Sequence, residues 1–317
     1  MTKQHVIFLH GPTATGKSSL ALELASRFPI ELISVDSGQV YRGMEIGTAR
    51  LSEDLLTQFP HHLIGIREVP EIFSVGDFCT LARFHINETL KRERIPLLVG
   101  GTMFYFSALL RGIPNLPAAD PALRERLAHE VRQSGLDTLY CRLQKMDPVS
   151  ANRIDPNDRQ RILRAVEINI LSGKRVSDCE HSDGLDKTGV NVSRISLSVS
   201  DRRTLHRRID DRLREMIDAG LVDEVRGIRS RYPQSREMPA MKSVGYQQVW
   251  SHLENEVDEA QMIADIATAT RRLAKRQLTW LRHERGVTWF DASSQGLVSS
   301  VSRYLNAAEI SIMGRQA

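Results

Sequence analysis

The chain has 317 residues, of which 41% are hydrophobic and 26% are charged, proportions typical of folded globular proteins. These values exclude a disordered tail protein, a collagen and a small domain held by disulfide bonds. The formal net charge is only +4, so a nucleic-acid surface would have to come from local clustering of charge. The three cysteines, Cys79, Cys141 and Cys179, are far apart and form no C-x-x-C motif, which argues against a zinc finger and favours a reducing compartment.

The N-terminal segment has only four consecutive apolar residues before Gly11, too few for the hydrophobic region of a signal peptide. Nothing elsewhere in the sequence approaches the length of a membrane span. We therefore expect a cytoplasmic protein with no membrane partner.

The N-terminal part of the chain alternates short apolar runs with helical patterns. Buried strands are predicted at residues 5–9, 31–35 and 95–99. The second strand ends on Asp36, and the third leads into a tight turn at Gly100, Gly101 and Thr102. This alternation predicts an α/β fold in which a parallel sheet is covered by helices on both faces.

The pattern changes in the middle of the chain, where no convincing strand occurs between residues 117 and 187. Apolar residues at helical spacing predict two helices there, marked by Leu123, Leu127 and Val131 and by Ile162, Val166 and Ile170. Gly173 is expected to end the second helix as a left-handed cap. Strand patterns return at residues 195–199 and 287–290. The sequence therefore predicts an α/β core of residues 1–116 and 190–317 with a helical insertion of residues 117–189.

The segment between the first strand and the first helix matches the phosphate-binding motif G-x-x-x-x-G-K-[ST]. Its glycines allow backbone N–H groups to point into an anion site at the helix N-terminus. Lys17 supplies positive charge for the terminal phosphates, and the Ser18 hydroxyl can hold Mg²⁺. A P-loop NTPase-like core that binds a diphosphate or triphosphate is therefore predicted. The residues of this site are Gly11, Pro12, Thr13, Ala14, Thr15, Gly16, Lys17 and Ser18.

Asp36, at the end of the second strand, is compatible with three roles. It could be a Mg²⁺ ligand, as in NTPases, or a general base that faces a nucleophile beside the phosphates. It could also simply cap a turn. Spacing alone leaves the choice open, although the absence of an N-K-x-D motif argues against a GTPase.

Six sequence blocks resemble, in order, those of the tRNA dimethylallyltransferases, also known as tRNA isopentenyltransferases. They occur at residues 36–49, 97–105, 157–161, 205–209, 243–246 and 274–282 and span nearly the whole chain. The resemblance implies transfer of a dimethylallyl group from its diphosphate to the N6 amine of the adenine just 3′ of the anticodon. The phosphate loop would then bind an allylic diphosphate rather than ATP. Because the cysteines of the eukaryotic zinc finger are missing, the chain resembles the bacterial members.

The resemblance also implies roles for individual residues. Asp36 is similar to the catalytic aspartate of the family, which acts as the base, while Lys17 and a Mg²⁺ ion on Ser18 stabilise the departing diphosphate. One of Arg208 and Arg212, four residues apart on a predicted helix, assists the diphosphate, and the choice between them stays open.

The tRNA anticodon stem-loop is the expected partner. Family segments imply contacts by Asp36, Ser37, Gly38, Gln39, Thr102, Gln160, Arg161, Ile162, Leu163, Arg164, Lys242, Ser243, Val244, Gly245, Tyr246 and Gln247. Arg124, at the start of the helical insertion, is a further candidate contact. A basic stripe within residues 271–285, which hold six Lys and Arg and one acidic residue, adds Arg272 and Arg276 as backbone contacts. The apolar residues of that helix, including Trp280, are predicted to point inward.

Two alternatives from other classes remain. A P-loop kinase for a small molecule or nucleotide, with the insertion as its lid, is compatible with the fold and with Asp36, but it needs neither the basic C-terminal helix nor the block that starts at Asp36. An RNA-binding regulator with a degenerate enzyme core is disfavoured because Lys17, Ser18 and Asp36 are all present. A monomer is expected.

Overall fold

The structure is a computed structural model that describes residues 4–307, so residues 1–3 and 308–317 of the predicted core lie outside the described residues. The strands are β1 (His5–His10), β2 (Ile30–Val35), β3 (His61–His62), β4 (Ile95–Gly100), β5 (Asn191–Ser198) and β6 (Thr288–Asp291). The first helices are α1 (Lys17–Ala25), α2 (Glu53–Gln58), α3 (Val75–Lys91), α4 (Met103–Arg111), α5 (Pro121–Ser134), α6 (Leu136–Met146), α7 (Pro148–Ala151) and α8 (Arg159–Ser172). The later helices are α9 (Arg202–Asp218), α10 (Leu221–Arg231), α11 (Tyr246–Leu253), α12 (Glu259–His283) and α13 (Leu297–Ala307).

The strands form one sheet in the order β3-β2-β4-β1-β5-β6, and all neighbouring strands are parallel. Ile7 and Leu9 of β1 pack in a core with residues of α1 and α13. Phe8 points to the opposite face, where its ring lies 5.1 Å from that of Phe106 in α4. Helices on both faces explain why these strands are apolar along their whole length, and the predicted parallel α/β fold is confirmed.

Three loops that carry predicted site residues follow neighbouring strands. β1 leads into the phosphate loop, β2 into Asp36, and β4 into Gly101 and Thr102, and the strand order places β4 between the other two. Parallel strands bring these loops to the same edge of the sheet, where open α/β folds bind ligands. Gly100 permits the close approach of β4 to β2, since a Cβ there would lie 2.0 Å from the Val35 carbonyl oxygen.

The chain forms two compact units: residues 4–110 with 185–307, and Arg111–Gly184. Both bounds of the second unit lie a few residues before the corresponding bounds of the predicted insertion, 117 and 189. A bridge between Pro114 and His181 ties the two ends of the unit together. Its core is apolar and comes mainly from α5, α6 and α8. Gly173 ends α8 with φ 65°, and its N–H donates to the Asn169 carbonyl, as predicted. Between residues 4 and 307, no helix is both long enough and apolar enough to cross a membrane.

Candidate active site

A cavity of about 690 Å³ opens in the α/β unit at the carboxyl edge of the sheet. It brings together many of the residues that the sequence singles out. Those that line it are Thr13, Ala14, Lys17, Ser18, Asp36, Ser37, Gly38, Gln39, Thr102, Arg212, Lys242, Ser243, Val244, Gly245, Tyr246 and Arg276.

The phosphate loop is shaped by its backbone. Gly16 lies in the left-handed region, with φ 79°, immediately before α1. The Pro12 carbonyl oxygen accepts hydrogen bonds from Lys17 Nζ at 2.6 Å and from Thr15 Oγ1 at 2.8 Å. The loop therefore curls around its own lysine at the N-terminus of a helix, which is the arrangement that binds phosphate groups.

Positive charge is crowded at this end of the cavity. Burial, with the nearby guanidinium of Arg212, lowers the pKa of Lys17 from 10.5 to about 7, and the Asp36 carboxylate opposes this shift only in part. Burial also lowers the pKa of Arg212, against the opposing effects of Asp36 and Glu215. Two half-buried cations held close together form a site that a bound anion would stabilise.

The structure separates the two candidate arginines of α9. Arg212 lines the cavity, and its Nη1 lies 3.5 Å from Thr13 Oγ1 in the phosphate loop. Arg208 lines a groove beside Thr15 and Gly16, and its guanidinium approaches Ser293 Oγ at 3.4 Å. Of the two, Arg212 is the one that the structure brings into the cavity.

Asp36 is half-buried and caps the turn that follows β2. Its Oδ1 accepts hydrogen bonds from the backbone N–H groups of Gly38 at 2.8 Å and Gln39 at 3.3 Å. The turn-capping role is therefore real, but it uses one carboxylate oxygen and is compatible with chemistry at the other. Thr102 Oγ1 accepts the Ser37 N–H at 3.1 Å, which ties the loop after β4 to the loop after β2.

Glu224 on α10 is a functional candidate that sequence reasoning missed. Its carboxylate accepts the backbone N–H groups of Glu45 and Ile46 at 2.8 Å each and of Gly47 at 3.1 Å. It also accepts the hydroxyl of Tyr246 at 2.6 Å. Glu224 thus fixes the loop that precedes Thr48 and Ala49 in the cavity wall.

Tyr246 requires a correction. Its side chain is fully buried, and its burial and the Glu224 carboxylate raise its pKa well above the ordinary value. The ring packs so closely on Gly47 that a Cβ there would come within 2.5 Å of it. Tyr246 therefore supports the loop, and its side chain is not available as an RNA contact.

The long helix α12 carries the predicted basic stripe. Arg272 and Arg276 are both exposed, and Arg276 also lines the cavity. Trp280, predicted to point inward, is 37% exposed at the cavity wall, so that prediction is wrong. Its ring lies edge-on to that of Phe104, with centroids 6.4 Å apart, and Phe104 is 51% exposed. Gln277, which sequence reasoning also missed, is buried among these residues.

The helical unit contains the remaining predicted RNA contacts. Gln160 and Arg161 are exposed near the start of α8, but the side chain of Ile162 is fully buried, and that of Leu163 packs against the same apolar core. The side chain of Ile162 is therefore not exposed for the RNA contact predicted at this residue, and that of Leu163 is half-buried. The helical period turns Ile162 toward the core and leaves Gln160 and Arg161 exposed.

Arg124 and Arg164 have a partner within the helical unit. The fully buried carboxylate of Glu167 lies 3.0 Å from Arg124 Nε and 2.7 Å from Arg164 Nη1, and it accepts the Asp120 N–H at 2.9 Å. Burial opposes ionisation, but these hydrogen bonds outweigh it and lower the pKa of Glu167. The two arginines therefore have a structural role that the sequence did not indicate.

The protein oxygens of this site fit Mg²⁺ only together with the oxygens of a bound phosphate. Within residues 4–307, no group of three or more His, Cys, Asp or Glu side chains is arranged to hold a metal ion. Mg²⁺ usually binds one or two protein oxygens together with substrate phosphates and water. Ser18, exposed in the first turn of α1 and lining the cavity, offers such an oxygen.

Comparison with known proteins identifies the family of this chain. A family model described as IPP transferase matches residues 39–284. A tRNA dimethylallyltransferase of Thiobacillus denitrificans is 46% identical over 301 residues, which cover 95% of this chain and 96% of that protein. The crystal structure of a tRNA isopentenylpyrophosphate transferase from Bacillus halodurans is similar with a TM-score of 0.71 at 35% identity and covers 96% of both chains. A eukaryotic dimethylallyltransferase described as acting on tRNA is similar with a TM-score of 0.77 at 26% identity, covering 99% of this chain and 82% of that one. The chain therefore belongs to the IPP transferase family, that of the tRNA dimethylallyltransferases.

Proposed function

We propose that this chain transfers the dimethylallyl group of dimethylallyl diphosphate to the N6 amine of the adenine adjacent, on the 3′ side, to the anticodon of tRNAs. The observation that carries the proposal is the convergence of a phosphate loop, a carboxylate and an exposed basic helix on one cavity. A kinase would explain the phosphate loop but not Arg276 and Trp280, which line the same cavity. The kinase alternative is therefore not favoured.

The phosphate loop would hold the diphosphate as a leaving group. The loop amides, Lys17 and Arg212 would stabilise negative charge as it accumulates on the departing oxygens, and the position of Lys17 and Arg212 in the cavity wall supports this role. Ser18 would supply the protein oxygen for Mg²⁺, which adds positive charge to the diphosphate when bound.

Asp36 would act as the base. The lone pair of an adenine N6 amine is delocalised into the ring, so the amine needs help to become nucleophilic. N6 attacks the allylic carbon, the carbon–oxygen bond breaks, and its electron pair leaves with the diphosphate. The N6 proton goes to the Asp36 carboxylate. Since N6 lies in a base stack in the free loop, the adenine must be flipped out to reach the cavity.

The RNA would be held through its backbone and its bases. Arg272 and Arg276 suit phosphate contacts, and the edge-on pair of Phe104 and Trp280 suits stacking with an unpaired base. In the helical unit, the exposed Gln160 and Arg161 are the remaining candidates. We also propose that the enzyme is cytoplasmic and that it acts as a monomer. Light scattering tests the oligomeric state.

A transfer assay tests the proposal. Purified protein, Mg²⁺ and labelled dimethylallyl diphosphate are mixed with undermodified tRNA, and an anticodon stem-loop that lacks the target adenine serves as control. We expect label only in RNA that contains this adenine. Absence of label in a competent tRNA, together with ATP-dependent phosphorylation of a small acceptor, would instead support the kinase.

A further inference from the structure

Gln277 on α12 links two loops of the cavity wall, those that follow β1 and β4. Its side-chain oxygen accepts the backbone N–H of Thr13 at 3.0 Å, and its side-chain nitrogen donates to the Gly101 carbonyl at 2.8 Å. The residue is only 8% exposed. One neutral side chain therefore uses both ends of its amide to bridge the phosphate loop after β1 and the turn after β4.

The fit around this bridge is tight. A Cβ on Gly101 would lie 2.6 Å from Gln277 Nε2, so the turn can approach the amide only because residue 101 is a glycine. Thr13 also contacts Arg212, and Thr102, the residue after Gly101, contacts Ser37. Each end of the bridge thus continues into groups already assigned to one of the two substrates.

We propose that Gln277 is a positioning residue, which sets the spacing between the phosphate loop and the turn at Gly101 and so aligns the allylic carbon with the adenine amine. This inference rests on the proposed function. The amide does not touch the reacting atoms in this scheme. It acts through Thr13 on the donor side and through Thr102 on the acceptor side.

The placement of Gln277 on α12 gives the bridge a second consequence. Arg276 is its immediate neighbour, and Trp280 follows within one helical turn, so the part of the helix that faces the cavity also carries the bridge. The position of this helical turn therefore determines both the RNA-facing side chains and the spacing of the two loops.

Gln277→Met tests the bridge, because methionine keeps the length and bulk of the side chain but loses both hydrogen bonds. Misalignment of reacting groups by about 1 Å can lower turnover roughly a hundredfold. We expect kcat to fall by about 10- to 100-fold, while KM for each substrate changes by less than about threefold. Gln261→Met is the matched control. Gln261 is exposed on the first turn of the same helix, and its side-chain amide donates a hydrogen bond to the Asp265 carboxylate.

Gln277→Glu supplies a readout that a purely structural role would not move. A protonated carboxyl group can accept from Thr13 and donate to Gly101, as the amide does, whereas the carboxylate cannot donate. Its kcat relative to wild type should therefore fall as pH rises, while the ratio for Gln277→Met stays flat. Thermal unfolding of all three variants checks that the compared samples are folded.

The outcomes separate the two proposals. If wild type and Gln261→Met show no transfer to RNA, the proposed function is wrong. If they transfer and Gln277→Met has the same kcat, or if Gln277→Glu shows no pH dependence beyond that of wild type, the positioning role is overturned. A reduced kcat with the expected pH-dependent ratio supports it.

Discussion

Two charged clusters of this molecule are built in opposite ways. In the α/β unit, Lys17 and Arg212 are half-buried near each other with Asp36 as a partial counter-charge. In the helical unit, the buried carboxylate of Glu167 is fully engaged by two arginines and a backbone N–H. The first cluster lowers the pKa of a cation, whereas the second lowers the pKa of an acid.

The difference shows how to distinguish a binding site from a structural ion cluster. A charge whose partners favour its ionised form is satisfied and needs no ligand. Cations whose ionised forms are disfavoured by burial are stabilised further when an anion arrives, and such strained groups concentrate at functional sites. Lys17 and Arg212 belong to the second kind, and Glu167 belongs to the first.

Removing the counter-charge in the cavity should have the largest effect. We expect Asp36→Ala to lower kcat by about 10²- to 10⁴-fold, the usual contribution of a general base. Diphosphate affinity should stay the same or increase, because the cations lose their carboxylate neighbour. Single-turnover transfer and equilibrium binding of dimethylallyl diphosphate measure the two effects separately.

Asp36→Asn serves as the control for the turn. Asparagine retains an oxygen that can accept from the Gly38 and Gln39 amides, so the loop should persist while the base is lost. An equal loss of diphosphate affinity and turnover in both variants would contradict the role as a base and make Asp36 a metal ligand.

Lys17→Met should have the next largest effect, about a hundredfold or more in kcat, because one preorganised donor to the leaving group is removed. The wild-type residue should also make donor binding depend on pH. Since the pKa of Lys17 is about 7 in the free protein, the ammonium is lost as pH rises through that value, and donor affinity should weaken in the same range.

Proton uptake gives the sign of this effect directly. A bound diphosphate raises the pKa of the lysine, so at about pH 8 each binding event should take up a fraction of a proton. Calorimetry in two buffers of different ionisation enthalpy measures it. Lys17→Met should abolish the uptake, and an unchanged uptake in that variant would assign the proton to another group.

Glu224→Gln weakens a loop in the cavity wall without touching the cations. A glutamine has one acceptor oxygen in place of two and cannot hold all three N–H groups together with the Tyr246 hydroxyl. We expect KM for RNA to rise about tenfold and donor affinity to change little. Asp223→Asn on the same helical turn is the control, since Asp223 is exposed and pairs with Arg226. An equal rise of KM for RNA in both variants would argue against a role of this loop in RNA binding.

Much of the fold and the donor side of the site could be predicted because their signals are local. The phosphate loop is a contiguous motif, and Asp36 and Thr102 stand where apolar strands end. Glu224 and Gln277 could not be found this way, because, apart from the Tyr246 hydroxyl on Glu224, their partners are backbone groups at least 176 residues away along the chain. Hydrogen bonds to backbone amides leave no pattern in the identity of the residues that donate them.

The helical patterns predicted α5 and α8 but missed α6 and α7 between them, and they could not always give the right face. Arg208 and Arg212 share one face of α9, and only the course of the helix past the phosphate loop separates them. Trp280 fits an apolar stripe, yet the cavity interrupts the core at that point and leaves the ring exposed. Amphipathic spacing indicates which residues are together, not whether they meet a core or a cavity.

The cluster of Glu167 with Arg124 and Arg164 offers the complementary test, with the smallest expected effect on activity. Glu167→Gln should lower the free energy of unfolding by about 1–3 kcal/mol, less than for a fully buried ion pair because its arginine partners are partly exposed. The folded-state pKa of Glu167 is lowered, so its contribution is present above the unfolded pKa near 4.5 and is lost as pH falls through the folded value. Urea unfolding at neutral and acidic pH should therefore show a difference from wild type that shrinks on acidification. Glu125→Gln, at a carboxylate whose side chain is 82% exposed, should leave stability unchanged at both pH values. If Glu167→Gln were as stable as wild type at neutral pH, the charges of the Glu167 cluster would contribute nothing to stability. The contrast drawn between this cluster and the charged groups of the cavity would then be wrong.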